Sequence, residues 1–194
     1  KISPLLFHAE RLLEVKELSV DYGCGPVCRG VSFSVYQGER VCLTGRNGCG
    51  KSSVLKAVLG EAPFGGALLK ASRLKISYVA QDAADLYGTL AEYAERYALD
   101  ESLFKAVLNK FGFDKREFET ELSQMSAGQR KKAALARSLC ERAHLYIWDE
   151  PLNYIDVLSR IQIEELILSF RPTLLFVEHD AAFSRNVATR AVCL

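Results

Sequence analysis

The stretch that decides the fold is RVCLTGRNGCGKSSVLKAVLG, residues 40–60. Arg40 to Thr44 reads as a short apolar strand, Gly45 to Ser52 as a glycine-rich turn, and Lys51 to about Leu59 as a helix stopped by Gly60. GRNGCGKS matches the pattern GxxxxGK[ST], with a strand before it and a helix after it. Taken alone, such a string is compatible with an ordinary glycine-rich turn. The flanking elements are what make it a phosphate-binding loop. Glycines let successive backbone N–H groups turn inward around phosphate oxygens, and the helix that starts there adds its positive dipole end. The expected nucleotide contacts are therefore Gly45, Arg46, Asn47, Gly48, Cys49, Gly50, Lys51, Ser52 and Ser53. Lys51 would reach the β/γ-phosphates as a point charge, and the Ser52 hydroxyl would ligate Mg²⁺.

Working outward, Leu13 to Val20 alternates imperfectly and Val31 to Val35 cleanly, with Gly23, Gly25 and Pro26 between, which predicts antiparallel strands before the loop. The first dozen residues read as a connector entering a domain that spans 13–194. Ile76 to Val79 suggests a short strand. From Leu86 to Phe118 the pattern is helical, and a further helix runs on from Ser126, so a helical insertion of about 83–140 is expected. HLYIWDE is a continuous apolar run ending in two carboxylates, the mark of a buried parallel strand. A helix from about Leu158 to Phe170 and a strand from Thr173 to Val177 follow. The predicted class is α/β: a P-loop NTPase fold with a mostly parallel core sheet, an N-terminal antiparallel β region and a helical subdomain.

Composition fits one globular domain of 194 residues, 49% hydrophobic and 25% charged. A net charge of +1 gives no strongly basic footprint of the kind a nucleic-acid-binding domain usually shows. No apolar run is long enough to cross a bilayer and no signal-peptide pattern opens the chain, so a cytoplasmic location without membrane insertion is expected. The chain begins on Lys1 and reads as a piece of something longer. Six scattered cysteines lack the paired spacing of a zinc site and read as free thiols.

The second half of the site is LYIWDE, 145–150. A buried strand carries Asp149 to its C-terminal end, where ligands bind in open α/β sheets, and Asp149 would complete the Mg²⁺ site begun by Ser52. Glu150, one residue further, is placed to orient and deprotonate an attacking water. An acidic strand cap on the surface is the plainer alternative, disfavoured by two adjacent carboxylates after a buried run.

SAGQ, residues 126–129, followed by RKKAALARSL, resembles the signature motif of ATP-binding cassette proteins. The resemblance spans Tyr22 to His179 and implies a role for each matching residue. Tyr22 stands where an aromatic ring stacks on adenine. Gln81, in YVAQD, matches the loop that senses γ-phosphate and Mg²⁺, and Asp156, in NYID, the loop that faces a partner domain. His179, in VEHD, matches the switch histidine, acting with Glu150 and Gln81 in catalysis. Ser126, Gly128 and Gln129 would close over ATP held by the opposite domain, so the resemblance implies pairing with a second cassette. Ala127 departs from the glycine common in the family.

WDEPLNYIDV, followed closely by EHD, looks like the ABC-F group, soluble proteins with two cassettes in one chain that act on the ribosome and in some members protect it from antibiotics. The resemblance implies the second cassette of such a protein, with the ribosome as partner. The ATPase subunit of a membrane transporter and an ATP-gated module with little hydrolysis are the alternatives. Arg130, Lys131 and Lys132 form a small basic cluster, read as a solvated helix face in preference to an RNA contact.

Overall fold

The computed structural model describes residues 5–7, 10–83 and 86–194. Two sheets carry the chain. β1 (Arg11–Asp21) pairs antiparallel with both β2 (Pro26–Tyr36) and β4 (Phe64–Lys70), giving the order β2-β1-β4. A parallel sheet has the order β5-β6-β7-β3-β8, built from β3 (Arg40–Thr44), β5 (Ile76–Val79), β6 (Leu145–Asp149), β7 (Leu174–Val177) and β8 (Arg190–Cys193).

β3, β6 and β7 sit inside the sheet, and β6 and β7 are buried at every position. That is why their sequences are unbroken apolar runs instead of alternating ones. β1 begins at Arg11, two residues earlier than the alternation suggests, because Leu12 is itself buried against the core. Of the expected connector, residues 1–4, 8 and 9 lie outside the described residues, as do Ala84 and Asp85 at the start of the helical insertion.

α1 (Lys51–Leu59) leaves the phosphate loop and ends on Gly60, which adopts the left-handed conformation and returns its N–H to Ala57. Between β5 and β6 the described chain makes only helices: α2 (Leu90–Arg96), α3 (Glu101–Lys110), α4 (Lys115–Phe118), a 3₁₀ turn at Leu122–Gln124 and α5 (Ala127–Cys140). α6 (Val157–Phe170) precedes β7, and α7 (Ala181–Val187) precedes β8.

Two apolar clusters flank the parallel sheet. One joins the helical segment to Trp148, Tyr146 and Phe176, the other joins the antiparallel sheet and α1 to Ile147, Leu175 and Val177. Successive residues of β6 and β7 thus feed opposite cores, as a strand's period of two requires. This sandwich fixes the C-terminal ends of β3, β6 and β7 side by side, and those ends carry the site.

Candidate functional site

β3 delivers the chain at Thr44, and the loop wraps back to enter α1 at Lys51. Gly50 has φ 94°, and a Cβ there would stand 2.9 Å from the Val27 carbonyl oxygen, so glycine is required by both backbone twist and close approach. No side chain caps α1 and no acidic residue occupies its first turn, which leaves the first N–H groups open to an anion. Lys51 is 7% exposed, and its Nζ donates to the carbonyls of Gly45 (3.1 Å) and Arg46 (3.0 Å). A buried ammonium whose hydrogen bonds go to neutral acceptors is matched by a phosphate in the same cradle. Cys49 shapes the loop from within, its N–H donating to the Arg46 carbonyl at 3.2 Å.

Opposite, β6 ends on Asp149, 1% exposed, whose Oδ1 accepts from Ser52 Oγ at 3.0 Å. Burial pushes the Asp149 carboxyl above its ordinary 3.8, while the Ser52 hydrogen bond and the charge of Lys131 pull the other way. A hydroxyl and a buried carboxylate in contact form a hard-oxygen pair, and a divalent cation there would relieve the desolvated charge, so the residues fit Mg²⁺. Among the described residues no group of three or more His, Cys, Asp or Glu could hold a metal.

Glu150 sits just past β6 with φ 46°, a left-handed conformation rarely adopted by a residue other than glycine. Its Oε2 accepts from Gln81 Nε2 (3.0 Å) and Asn153 Nδ2 (2.5 Å), and its Oε1 lies 3.2 Å from His179 Nε2. Side chains from the ends of β5, β6 and β7 therefore meet on one carboxylate. Glu178 sets the histidine's loop by accepting from the N–H groups of Leu152, His179 and Asp180. Asn153 and Glu178 lie inside the strings NYID and VEHD, but sequence reasoning assigned a role only to Asp156 and His179 in them.

A cleft of about 390 Å³ runs between these halves, lined by Asn47, Gly48, Gly50, Lys51, Ser52 and Ser53 on one side and Glu150 and His179 on the other, with Val27 at its edge. Tyr22, half exposed just beyond β1, is not among its lining residues.

Ser126, Gly128 and Gln129 do not line that cleft either. They form the start of α5, where Ser126 and Gln129 close a reciprocal capping box and Gln129 Nε2 donates to Glu117 Oε1 at 2.6 Å. A Cβ on Gly128 would stand 2.5 Å from the Tyr154 carbonyl, so the signature turn is pressed against the loop carrying Asp156.

The basic cluster is not a solvated face. Lys131 is 1% exposed, and burial pushes its ammonium down to about 8 against the pull of Asp149 and Glu178. Lys132 bridges Asp156 at 2.6 Å and donates to the Phe111 carbonyl, while Arg130 donates to the Met125 carbonyl. A charge run read along the sequence carries no sign of where a helix docks. α5 lies under both the Gln81 loop and β6.

All six cysteines are unpaired. No helix among the described residues is long and apolar enough to cross a membrane.

Comparison with known proteins agrees with this geometry. The family description "ABC transporter" matches residues 28–153, more than half of the chain. The Putative ATP-binding protein YdiF of Bacillus subtilis (strain 168) is 32% identical over 93% of this chain and 29% of its own length. The Ribosome protection protein VmlR of the same organism is 30% identical over 90% of this chain and 32% of its own. The chain thus spans about a third of the curated relatives it matches. A solved structure described as the ATP binding subunit of an ABC transporter superposes with a TM-score of 0.81 at 28% identity, covering 94% of this chain and 85% of that one. The chain belongs to the ABC transporter family and is one of its nucleotide-binding ATPase domains.

Proposed function

We propose that this domain binds Mg-ATP in the cleft between its phosphate loop and the end of β6, and hydrolyses it to ADP and phosphate when paired with a second ABC domain. The observation that carries the reading is the bracketing of Glu150 by Gln81, Asn153 and His179, across from the Ser52–Asp149 contact. Lys51 neutralises the phosphates, Ser52 and Asp149 would hold the magnesium with Gln81 beside them, and Tyr22 is assigned to the adenine ring. When bound, the ion would supply positive charge that offsets the charge of the phosphates. Glu150 takes the proton of a water aligned on the γ-phosphate, and His179 orients that carboxylate and the phosphate it faces.

Changing Glu150 to Gln in the full-length protein tests this. ATP affinity at this site stays at the parent level while hydrolysis of the ATP bound there falls about 10²–10⁴-fold, the usual share of a general base. Parent-level hydrolysis removes Glu150 from the role.

Ser126, Gly128 and Gln129 stand on α5, away from the domain's own cleft, which supports their closing over ATP bound by a partner. For the assembly, we assign the domain to an ABC-F protein acting on the ribosome, supported by the WDEPLNYIDV string and by the relative described as a ribosome protection protein. The full-length Glu150→Gln variant with ATP then sediments with ribosomes and is released when ATP is withheld. The solved ATP-binding subunit favours a second reading, in which the partner is a transporter's membrane subunit. ATP-independent absence from ribosomes, with co-purification of a membrane protein, decides for it.

A further inference from the structure

The ammonium of Lys131 has three donors and three backbone acceptors: the carbonyls of Ala80 (2.6 Å), Gln81 (3.0 Å) and Asp149 (3.1 Å). Those acceptors belong to two separate segments. Ala80 and Gln81 form the loop that leaves β5 and sends the Gln81 amide to Glu150, and Asp149 is the last residue of β6, immediately before Glu150. Lys131 itself belongs to neither. It lies in α5, five positions after the signature Ser126 that caps that helix.

One buried side chain therefore ties the signature helix to both segments that set the Gln81–Glu150 contact. The carboxylates of Asp149, Glu178, Glu150 and Asp82 lie close enough to favour its charge. The neighbouring side chains do different work: Arg130 holds the Met125 carbonyl before α5, and Lys132 holds Asp156 and the end of α3.

We propose that Lys131 is a positioning residue for hydrolysis, holding the Gln81 loop and the end of β6 at one spacing so that the Gln81 amide engages Glu150 only while the signature helix is seated. Its three hydrogen bonds all go to backbone carbonyls, and it acts through them. Movement of α5, such as closure onto a partner domain would demand, is thereby felt at Glu150 without passing through the phosphate loop. The inference rests on the hydrolytic assignment of Glu150.

The test compares Lys131→Met, which keeps length and removes every donor, with Lys131→Gln, which restores part of the donor set. Both are made in the full-length protein, with kcat, the Kd of a fluorescent ATP analogue and the thermal melt measured together. Misplacing a catalytic group by a fraction of an ångström to an ångström is expected to lower kcat of Lys131→Met about 10- to 100-fold. The Kd stays within about threefold of the parent, since the phosphate loop is untouched, and Lys131→Gln recovers an intermediate kcat. Parent-level kcat in Lys131→Met overturns the proposal, as does an equal loss of kcat and affinity in both variants. Where Lys131→Met fails to melt cooperatively, Lys131→Gln decides: lowered kcat at unchanged Kd supports the role, and parent-level kcat overturns it. Glu150→Gln run alongside separates the two readings. Active Glu150→Gln defeats the hydrolytic assignment, whereas inactive Glu150→Gln beside fully active Lys131→Met defeats only the tether.

Discussion

Lys51 and Asp149 are both withdrawn from solvent, and each is placed where a ligand of opposite charge would compensate it. Replacing Lys51 by Ala removes a charge-assisted contact of about 1.5–3 kcal/mol, so the Kd for ATP rises about 10- to 100-fold in a titration with a fluorescent analogue. Unchanged affinity would displace the nucleotide from this cradle. Gly128 makes a different demand, because its missing Cβ is what lets the signature turn lie against the Tyr154 carbonyl. Gly128→Ala forces backbone apart and lowers stability by about 1–3 kcal/mol, read as a depressed melting temperature, with ATP affinity retained. A melting temperature equal to the parent's would mean that the turn yields freely. At this scale legibility follows locality. The phosphate-loop residues and the Asp149–Glu150 pair are contiguous strings whose chemistry can be read in place. The Glu178 contact with the Leu152 N–H, 26 positions away, and above all Lys131 depend on folding; Lys131 meets a carbonyl 51 positions away, and no spacing in the sequence announces it.

Among the elements, α6 shows how a helix start is tied into the signature region. Asp156 caps it by accepting from the Ser159 N–H, and Lys132 of α5 pairs with the same carboxylate at 2.6 Å. The Lys132 hydrogen bond, then those of Ser159, hold Asp156 well below its ordinary 3.8. A folded-state pKa below the unfolded one contributes stability that is complete above the unfolded value and is lost as pH falls towards the folded value. Asp156→Asn keeps a capping oxygen but no charge. The variant therefore melts below the parent at pH 7, and the gap narrows as pH is lowered beneath about 4, where the parent's carboxylate begins to protonate in the unfolded chain. A gap that is constant from pH 7 to 3 would show that the ion pair contributes nothing. The elements hidden from the sequence share one trait: little burial of their own. β4 is FGGALLK, mostly exposed, and it exists because β1 offers it an edge; β8 and α7 are four and seven residues long, too short for a periodic signal. The buried strands β3, β6 and β7 were legible because double-sided burial writes an unbroken apolar run.

For the molecule as a whole, the fold class could be read from the sequence because strand, glycine loop and helix must follow one another to build a phosphate cradle. The split of the core could not, since it depends on which face of β6 and β7 each cluster takes. The cleft lies at the strand ends, while Ser126 and Gly128 stand at the start of α5 outside its lining, and the proposed closing of these two residues over a partner's ATP is argued from that separation. Pairing then has a kinetic signature. For the domain produced alone, turnover per molecule rises with protein concentration and levels off once pairs predominate, and Glu150→Gln with ATP runs as a dimer on size exclusion while the ATP-free protein runs as a monomer. A net charge of +1 sets up little long-range repulsion between copies, so changing the salt concentration shifts the midpoint only modestly. A rate per molecule that is already maximal at high dilution would place all the groups needed for hydrolysis on one copy, and Ser126 and Gly128 would then be structural caps of α5 alone.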